Sequence, residues 1–323
     1  MPKAIRIHKA GGPEVLQWED VSVGEPGPGQ ARVRHHAVGL NFTDVYHRIG
    51  LYPLSYPSGL GLEAAGVVEA VGEGVANVRP GDRVAYANPP IGAYAEVRLM
   101  PADRLLNLPE GISFEQAAAV MLKGMTVQYL IKRTCKVQRG DTVLWHAAAG
   151  GVGLIACQWL AALGVTMIGT VGSDEKAKLA RAHGCSHVVN YNRENFLEKV
   201  KEITKGAGVP VVYDSVGKDT FDRSMECLRP FGTMVSFGNA SGPVPPVDIG
   251  KILKGSLFIT RPSLMPYTAR REDLVATAND LFEIVLSGKV KIEIDQRYPL
   301  REAAQAQRDL EARKTTGSTL LLP

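Results

Sequence analysis

Residues 4–8 and 31–40 alternate apolar and polar side chains, the period of a strand that buries one face. Between them EPGPG, residues 25–29, is turn chemistry. Short strands are expected at 67–71, 83–86 and 92–97, the second entered through the turn Pro80-Gly81-Asp82. From 113 to 121 a capping serine, an early Glu115 and an alanine-rich body predict a helix. The pattern then changes. Apolar runs at 143–145 and 165–171 do not alternate, as befits strands covered on both faces. Residues 154–163 between them are apolar all round and predict a helix buried between layers, closed by Gly164. Helices at 175–183, 194–204 and 219–228 then alternate with strands at 187–190, 211–214 and 233–237. A further strand at 256–260 follows a proline-rich loop. This is the order of an α/β fold with a doubly wound parallel sheet. The tail is mixed: a helix at 272–286, an extended stretch at 291–298, a helix at 300–313 and a strand at 317–322. That single strand needs a sheet, so the tail is expected to pack back on the N-terminal strands. Residues 125–264 then form one domain, and residues 1–124 with 265–323 a second, β-rich one.

The segment 142–174 carries the first chemistry. Between its first strand and its helix lies AAAGGVG, residues 147–153, almost without side chains. Main-chain N–H groups at the start of the helix, with the helix dipole, suit a pyrophosphate. Gly150, Gly151 and Gly153, with Val152 among them, leave room for its approach. The pattern is close to the GxGxxG dinucleotide fingerprint, with Ala148 in its first glycine position. A tight turn without a ligand would carry the same glycines. Sites for NAD place an acid at the tip of the second strand. Here the tip is Gly172-Ser173, with Lys176 one turn on, which suits a 2′-phosphate and favours NADPH over NADH. Asp174, directly after the tip, weighs the other way.

Composition narrows the class. At 323 residues two domains are expected. The net charge is +4 with no basic block, so nucleic acid is not an expected partner. No apolar stretch reaches the ~18–20 residues of a membrane span. The start, MPKAIRIHKAGGPEVL, has no apolar signal core, so a cytoplasmic location is expected. Cys135, Cys157, Cys185 and Cys227 are scattered, without a CxxC pair, and read as free thiols. His35 and His36 are adjacent in a strand, point to opposite faces and cannot share one metal.

Several motifs together carry a family resemblance: KAGGPEVL (9–16), GLNFTDVYHRIGLYP (39–53), LGLEAAGVVEAVG (60–72), HAAAGGVGLIACQ (146–158), VVYDSVG (211–217), VSFGNASG (235–242), ITRPSL (259–264) and GSTLLLP (317–323). The whole chain resembles the medium-chain dehydrogenase/reductase superfamily, and within it the zeta-crystallin-like NADPH:quinone oxidoreductases. The resemblance implies a GroES-like catalytic domain split around a Rossmann domain, a cleft between them for NADPH and a quinone, and a homodimer joined through the strand at 256–260. An apolar edge strand does ask for cover. Zinc members of the superfamily carry a Cys two residues before the Thr-Asp pair and a His before the glutamate. Here those positions are Asn41 and Leu62, and the lobe of four cysteines is missing, so the resemblance is to the metal-free branch.

Asn41, Asp44, Tyr46 and Tyr52 are the candidate catalytic residues. The Asn41 amide can hold the nicotinamide amide or a substrate carbonyl, or it can be a turn residue. Tyr46 and Tyr52 can stack on a flat ring and donate to its oxygen, although Tyr52 beside Pro53 also suits plain packing. Asp44 is expected to orient the loop rather than transfer a proton. Leu62, where relatives often carry threonine, makes the pocket more apolar. By position Tyr191 lies by the adenosine phosphate. Ser215, Phe237, Gly238, Asn239, Ser241, Ser263 and Leu264 follow later strands and face the nicotinamide half, and Thr126 and Ser318 are further carried-over contacts. The leading expectation is quinone reduction by NADPH. Zinc-free reduction of an activated C=C bond in enones or alkenals, and a non-catalytic NADPH- or RNA-binding protein, stay open beside it.

Overall fold

The computed structural model describes Met1–Pro323. The chain forms two compact units: Met1–Met125 with Met265–Leu286 and Ile292–Pro323, and Thr126–Leu264 with Ser287–Lys291.

The first unit begins with β1 (Lys3–Ile7), β2 (Gln17–Asp20) and β3 (Gln30–Leu40). The alternation along β3 buries Ala31, Val33, His35 and Ala37; beyond it the strand is covered on both faces, and Val38, Gly39 and Leu40 are all buried. Helix α1 (Phe42–Arg48) follows at once, then β4 (Ser58–Gly59), β5 (Glu63–Val71), β6 (Arg83–Ala87), β7 (Val97–Pro101), β8 (Leu106–Asn107) and α2 (Phe114–Tyr129). The expected strand at 92–97 is corrected: only Val97 belongs to one. The N–H groups of Gly92 and Ala93 both donate to the Gly61 carbonyl, and that of Tyr94 to Leu60, so the segment hugs a loop instead of a ladder. β5 starts earlier than the expected 67, through the small residues Ala64, Ala65 and Gly66. The helix expected at 113–121 runs on to Tyr129, and a π-helical turn, Leu130–Thr134, ends it.

The second unit alternates β9 (Thr142–Trp145), α3 (Gly151–Leu163), β10 (Thr166–Val171), α4 (Asp174–Ala182), β11 (His187–Asn190), α5 (Phe196–Ile203), β12 (Val209–Asp214), α6 (Phe221–Glu226), β13 (Leu228–Ser236) and β14 (Phe258–Thr260). Its sheet has the order β11-β10-β9-β12-β13-β14. Every pairing in it is parallel. All carboxyl ends of its strands therefore share one edge. Gly164 closes α3 in the left-handed conformation (φ 75°), which only glycine adopts freely. The strand expected at 256–260 is shorter, because a 3-10 segment, Ile249–Gly255, precedes it and Ser256 is itself left-handed (φ 48°).

The tail contributes α7 (Leu264–Tyr267), α8 (Arg271–Leu286), β15 (Ile294–Pro299), α9 (Ala303–Glu311) and β16 (Ser318–Leu322). β16 lies antiparallel on β3, with Thr319 opposite Leu40 and Leu321 opposite Val38. The tail strand thus finds its sheet among the N-terminal strands.

Candidate active site

Asn41 is the N-cap of α1, in extended conformation (φ −136°, ψ 153°). Its N–H donates to Asp44 Oδ2 at 2.9 Å, the reciprocal half of a capping box. Its side chain is used elsewhere: Nδ2 donates to Glu63 Oε2 at 2.8 Å. Glu63 opens β5 and is fully buried. Its other oxygen accepts the Leu122 N–H at 2.6 Å, and Lys123 Nζ lies 3.5 Å from Oε2. Burying a carboxylate demands this many donors. Gly39 explains itself here, since a Cβ at that position would collide with the Glu63 carboxylate and the Ala118 carbonyl. One N–H of the amide is thus committed to Glu63, and the amide oxygen can only accept.

Asp44 is fully buried. Oδ2 also accepts from the Tyr94 hydroxyl at 2.9 Å, while Oδ1 has no partner. Burial pushes the carboxyl up to about 7, against the pull of these two hydrogen bonds. The Tyr94 oxygen lies 3.5 Å from Gln307 Nε2 on α9. Arg48 at the end of α1 donates to Gln307 Oε1 and grips Glu311 with two bonds of 2.9 Å. Tyr46 and Tyr52 meet edge to face, 5.4 Å between ring centres, and the Tyr52 N–H donates to the Tyr46 carbonyl. The structure thus gathers Asn41, Asp44, Tyr46 and Tyr52 on and around α1. Lys123, Tyr94 and Gln307 joined them without having been foreseen. A single lysine in the apolar run AAAVMLKGM was the one signal for any of these three.

In the second unit the predicted contact residues follow the carboxyl ends of the strands. Gly150 is the N-cap of α3, and Gly151 and Val152 are its first residues. Gly172 and Ser173 follow β10, and Ser173 Oγ caps α4 by accepting the Lys176 N–H at 3.2 Å. Tyr191 follows β11 and Ser215 follows β12. Phe237, Gly238, Asn239 and Ser241 follow β13, and Ser263 and Leu264 follow β14. Phe237 packs edge-on against Trp145, 5.7 Å between ring centres. Arg261, not foreseen, braces this loop by donating to the Ser236 carbonyl at 2.8 Å. Thr126 lies within α2. Ser318 is buried in the first unit, its hydroxyl donating to the Ala119 carbonyl at 2.9 Å.

Two family models match the chain: an alcohol dehydrogenase GroES-like domain over residues 27–110 and a zinc-binding dehydrogenase over residues 151–280. Along its full length the chain is 55% identical to the quinone oxidoreductase of Pseudomonas aeruginosa, covering 100% of both. The chain belongs to the quinone oxidoreductase family. Among solved structures of that family, Escherichia coli quinone oxidoreductase complexed with NADPH superposes with a TM-score of 0.98 at 51% identity, over 99% of this chain and 100% of that one. The 2-haloacrylate reductase of a Burkholderia species is 48% identical over 100% of this chain and 99% of its own. The fold is accordingly the α/β fold of the superfamily, a GroES-like domain with a Rossmann-like parallel sheet. The zinc in the name of one family model does not suit the side chains present. Asn41 spends its amide on Glu63, Leu62 offers no donor, and no three His, Cys, Asp or Glu side chains are placed to hold one ion.

Proposed function

We propose that the protein transfers a hydride from NADPH to a quinone without a metal. The observation that carries this is the full-length likeness to the Escherichia coli quinone oxidoreductase crystallised with NADPH. The parallel sheet supports it, because dinucleotides bind outside the carboxyl ends of such strands. There the N–H groups at Gly151 and Val152 suit a pyrophosphate, with Gly150, whose own N–H goes to the Ala147 carbonyl, leaving room for its approach. Gly172, Ser173, Lys176 and Tyr191 suit the phosphorylated adenosine end, and the residues after β12, β13 and β14 the nicotinamide half, with Thr126 and Ser318 as further contacts. When bound, NADPH supplies the hydride from its nicotinamide ring.

The chain supplies orientation and donors. Asn41 presents an acceptor oxygen, which suits the nicotinamide carboxamide better than a substrate carbonyl. Tyr46 and Tyr52 offer ring faces for a flat quinone and hydroxyl donors for the oxygen that gains charge. Asp44 keeps its proton up to about pH 7, so α1 carries no bare carboxylate in that range. Its part is to hold Asn41 and the start of α1.

The likeness to a 2-haloacrylate reductase favours a second reading, reduction of an activated C=C bond. Steady-state rates with NADPH and either a benzoquinone or an alkenal separate the two. The quinone is expected to have the higher kcat/KM; a higher value for the alkenal overturns the first reading. We also infer a homodimer formed through β14 and a cytoplasmic location. The unpaired outer edge of β14 supports the first, and four free cysteines suit a reducing compartment. No helix is long and apolar enough to cross a membrane.

A further inference from the structure

Asp174 stands where an acid contradicts a preference for NADPH. A carboxylate at the strand tip is the group that holds the ribose hydroxyls of the unphosphorylated dinucleotide, and a bare one repels a 2′-phosphate. The segment after β11 is wrapped around this tip. Asn190 Nδ2 donates to Asp174 Oδ1 at 2.8 Å. The Tyr191 N–H donates to the Val171 carbonyl at 3.0 Å, and Asn192 Nδ2 to the Gly172 carbonyl at 2.7 Å. Arg193 Nη1 lies 2.8 Å from Asp174 Oδ2. The Tyr191 hydroxyl packs over Gly172 so closely that a Cβ there would strike it. Four successive residues thus bind three residues of the tip, Val171, Gly172 and Asp174, and both oxygens of Asp174 are occupied.

Arg193 and Asp174 are 70% and 45% exposed, so their pairing adds little to stability. What it changes is the charge that an incoming ligand meets. Glu175 is a second acid here, but its carboxylate is turned to Ser173 and the start of α4. We propose that Arg193 determines cofactor specificity: by engaging Asp174 it cancels the acid that directly follows the tip of β10 and admits a 2′-phosphorylated adenosine. The inference rests on the NADPH reading above and names the residue that lets this site accept it.

Adenosine phosphates without a nicotinamide test it apart from turnover. Calorimetric titration of 2′,5′-ADP and 5′-AMP into wild type, Arg193→Ala, Asp174→Asn and the double variant reads the 2′-phosphate directly. Wild type is expected to prefer 2′,5′-ADP. Arg193→Ala should lose about tenfold of that preference, the scale of one unmasked charge near another at a protein surface. Removing the carboxylate as well, in the double variant, should restore it, and 5′-AMP binding should stay level throughout. An unchanged preference in Arg193→Ala overturns the proposal. So does a double variant as weak as Arg193→Ala, which would mean that the guanidinium holds the phosphate itself. A wild type indifferent to the 2′-phosphate would instead sink the NADPH reading, and this proposal with it.

Discussion

A proton sits on Asp44 at pH values where an exposed aspartate has lost it. Its folded value is about 7, against ~3.9 for a free side chain. Between these values the folded chain holds one proton more than the unfolded chain. The stability this lends is complete below the unfolded value, falls as pH rises through the window, and is gone above 7. The slope approaches ~1.4 kcal/mol per pH unit for one proton. His35 works in the opposite sense. Burial lowers it to about 3, so it is kept neutral between the Ala95 carbonyl and the Tyr86 hydroxyl, and acid destabilises the fold through it. Asp44→Asn mimics the protonated acid and removes only the first effect. Denaturant unfolding of wild type and variant from pH 4 to pH 7 should show the wild type losing ground as pH rises. A difference that stays flat across the window would mean that Asp44 is ionised throughout. Asn41 and Asp44 were legible because a short motif carried them. Their partners Glu63 and Tyr94 lie 22 and 50 residues away, Gln307 meets Tyr94 from another 213 residues on, and no local pattern reports such pairing.

The turn before α3 was legible as an element, but its glycines act for different reasons than handedness. Neither Gly150, Gly151 nor Gly153 is left-handed; the residue that is, with φ 56°, is Ala147. At Gly153 a Cβ would run into the carbonyls of Ala147 and Ala148, so this glycine guards the fold. At Gly150 a Cβ would meet only the Ala147 oxygen, at 3.4 Å, and the backbone is extended (φ −80°, ψ 169°). Gly150→Val should therefore fold, with an unchanged circular dichroism spectrum. Its NADPH dissociation constant should rise more than about tenfold, since the side chain shields amides that charge-assisted hydrogen bonds need. Gly153→Val should unfold or express poorly. A folded Gly150→Val that binds NADPH as tightly as wild type would remove the pyrophosphate from this turn. Other elements were misread where tertiary partners decide. The 92–96 segment has strand-like composition, yet the N–H groups of Gly92, Ala93 and Tyr94 answer to carbonyls of a loop about 30 residues earlier, and it meets β1 only from the Tyr94 carbonyl through Ala95 to the Glu96 N–H. Helix α1 was missed because its seven residues are too few for a periodic signal; the cap and its buried partners hold it.

For the molecule as a whole, the open question in the sheet order is its last strand. β14 pairs with β13 on one side only, and Phe258 and Ile259 on it are exposed. Ile249 and Leu253, just before it, and Phe231 are exposed by 78%, 80% and 73%. An apolar edge of this kind joins a second copy or aggregates. Light scattering on a sizing column should give a dimer for wild type and a monomer for Ile259→Lys, with NADPH binding retained. A monomeric wild type at micromolar concentration would refute the assembly. The strand itself was visible in the sequence as an apolar run. Its edge position was not, because the order of strands in a sheet depends on where every connection crosses.

The pairing of β16 with β3 has a consequence for the order of synthesis. A ribosome delivers β3 nearly 280 residues before the strand that covers its flank. The parallel sheet of the second unit spans residues 142–260 and can close while that flank is still bare. Arg48 and Tyr94 likewise wait for Gln307 and Glu311. A nascent chain therefore carries a finished parallel sheet and an unfinished other unit, and the residues around Asp44 gain their support last. Chains cut short within α9 or β16 expose a strand edge next to the site, which marks them for aggregation or proteolysis before they can act as enzymes.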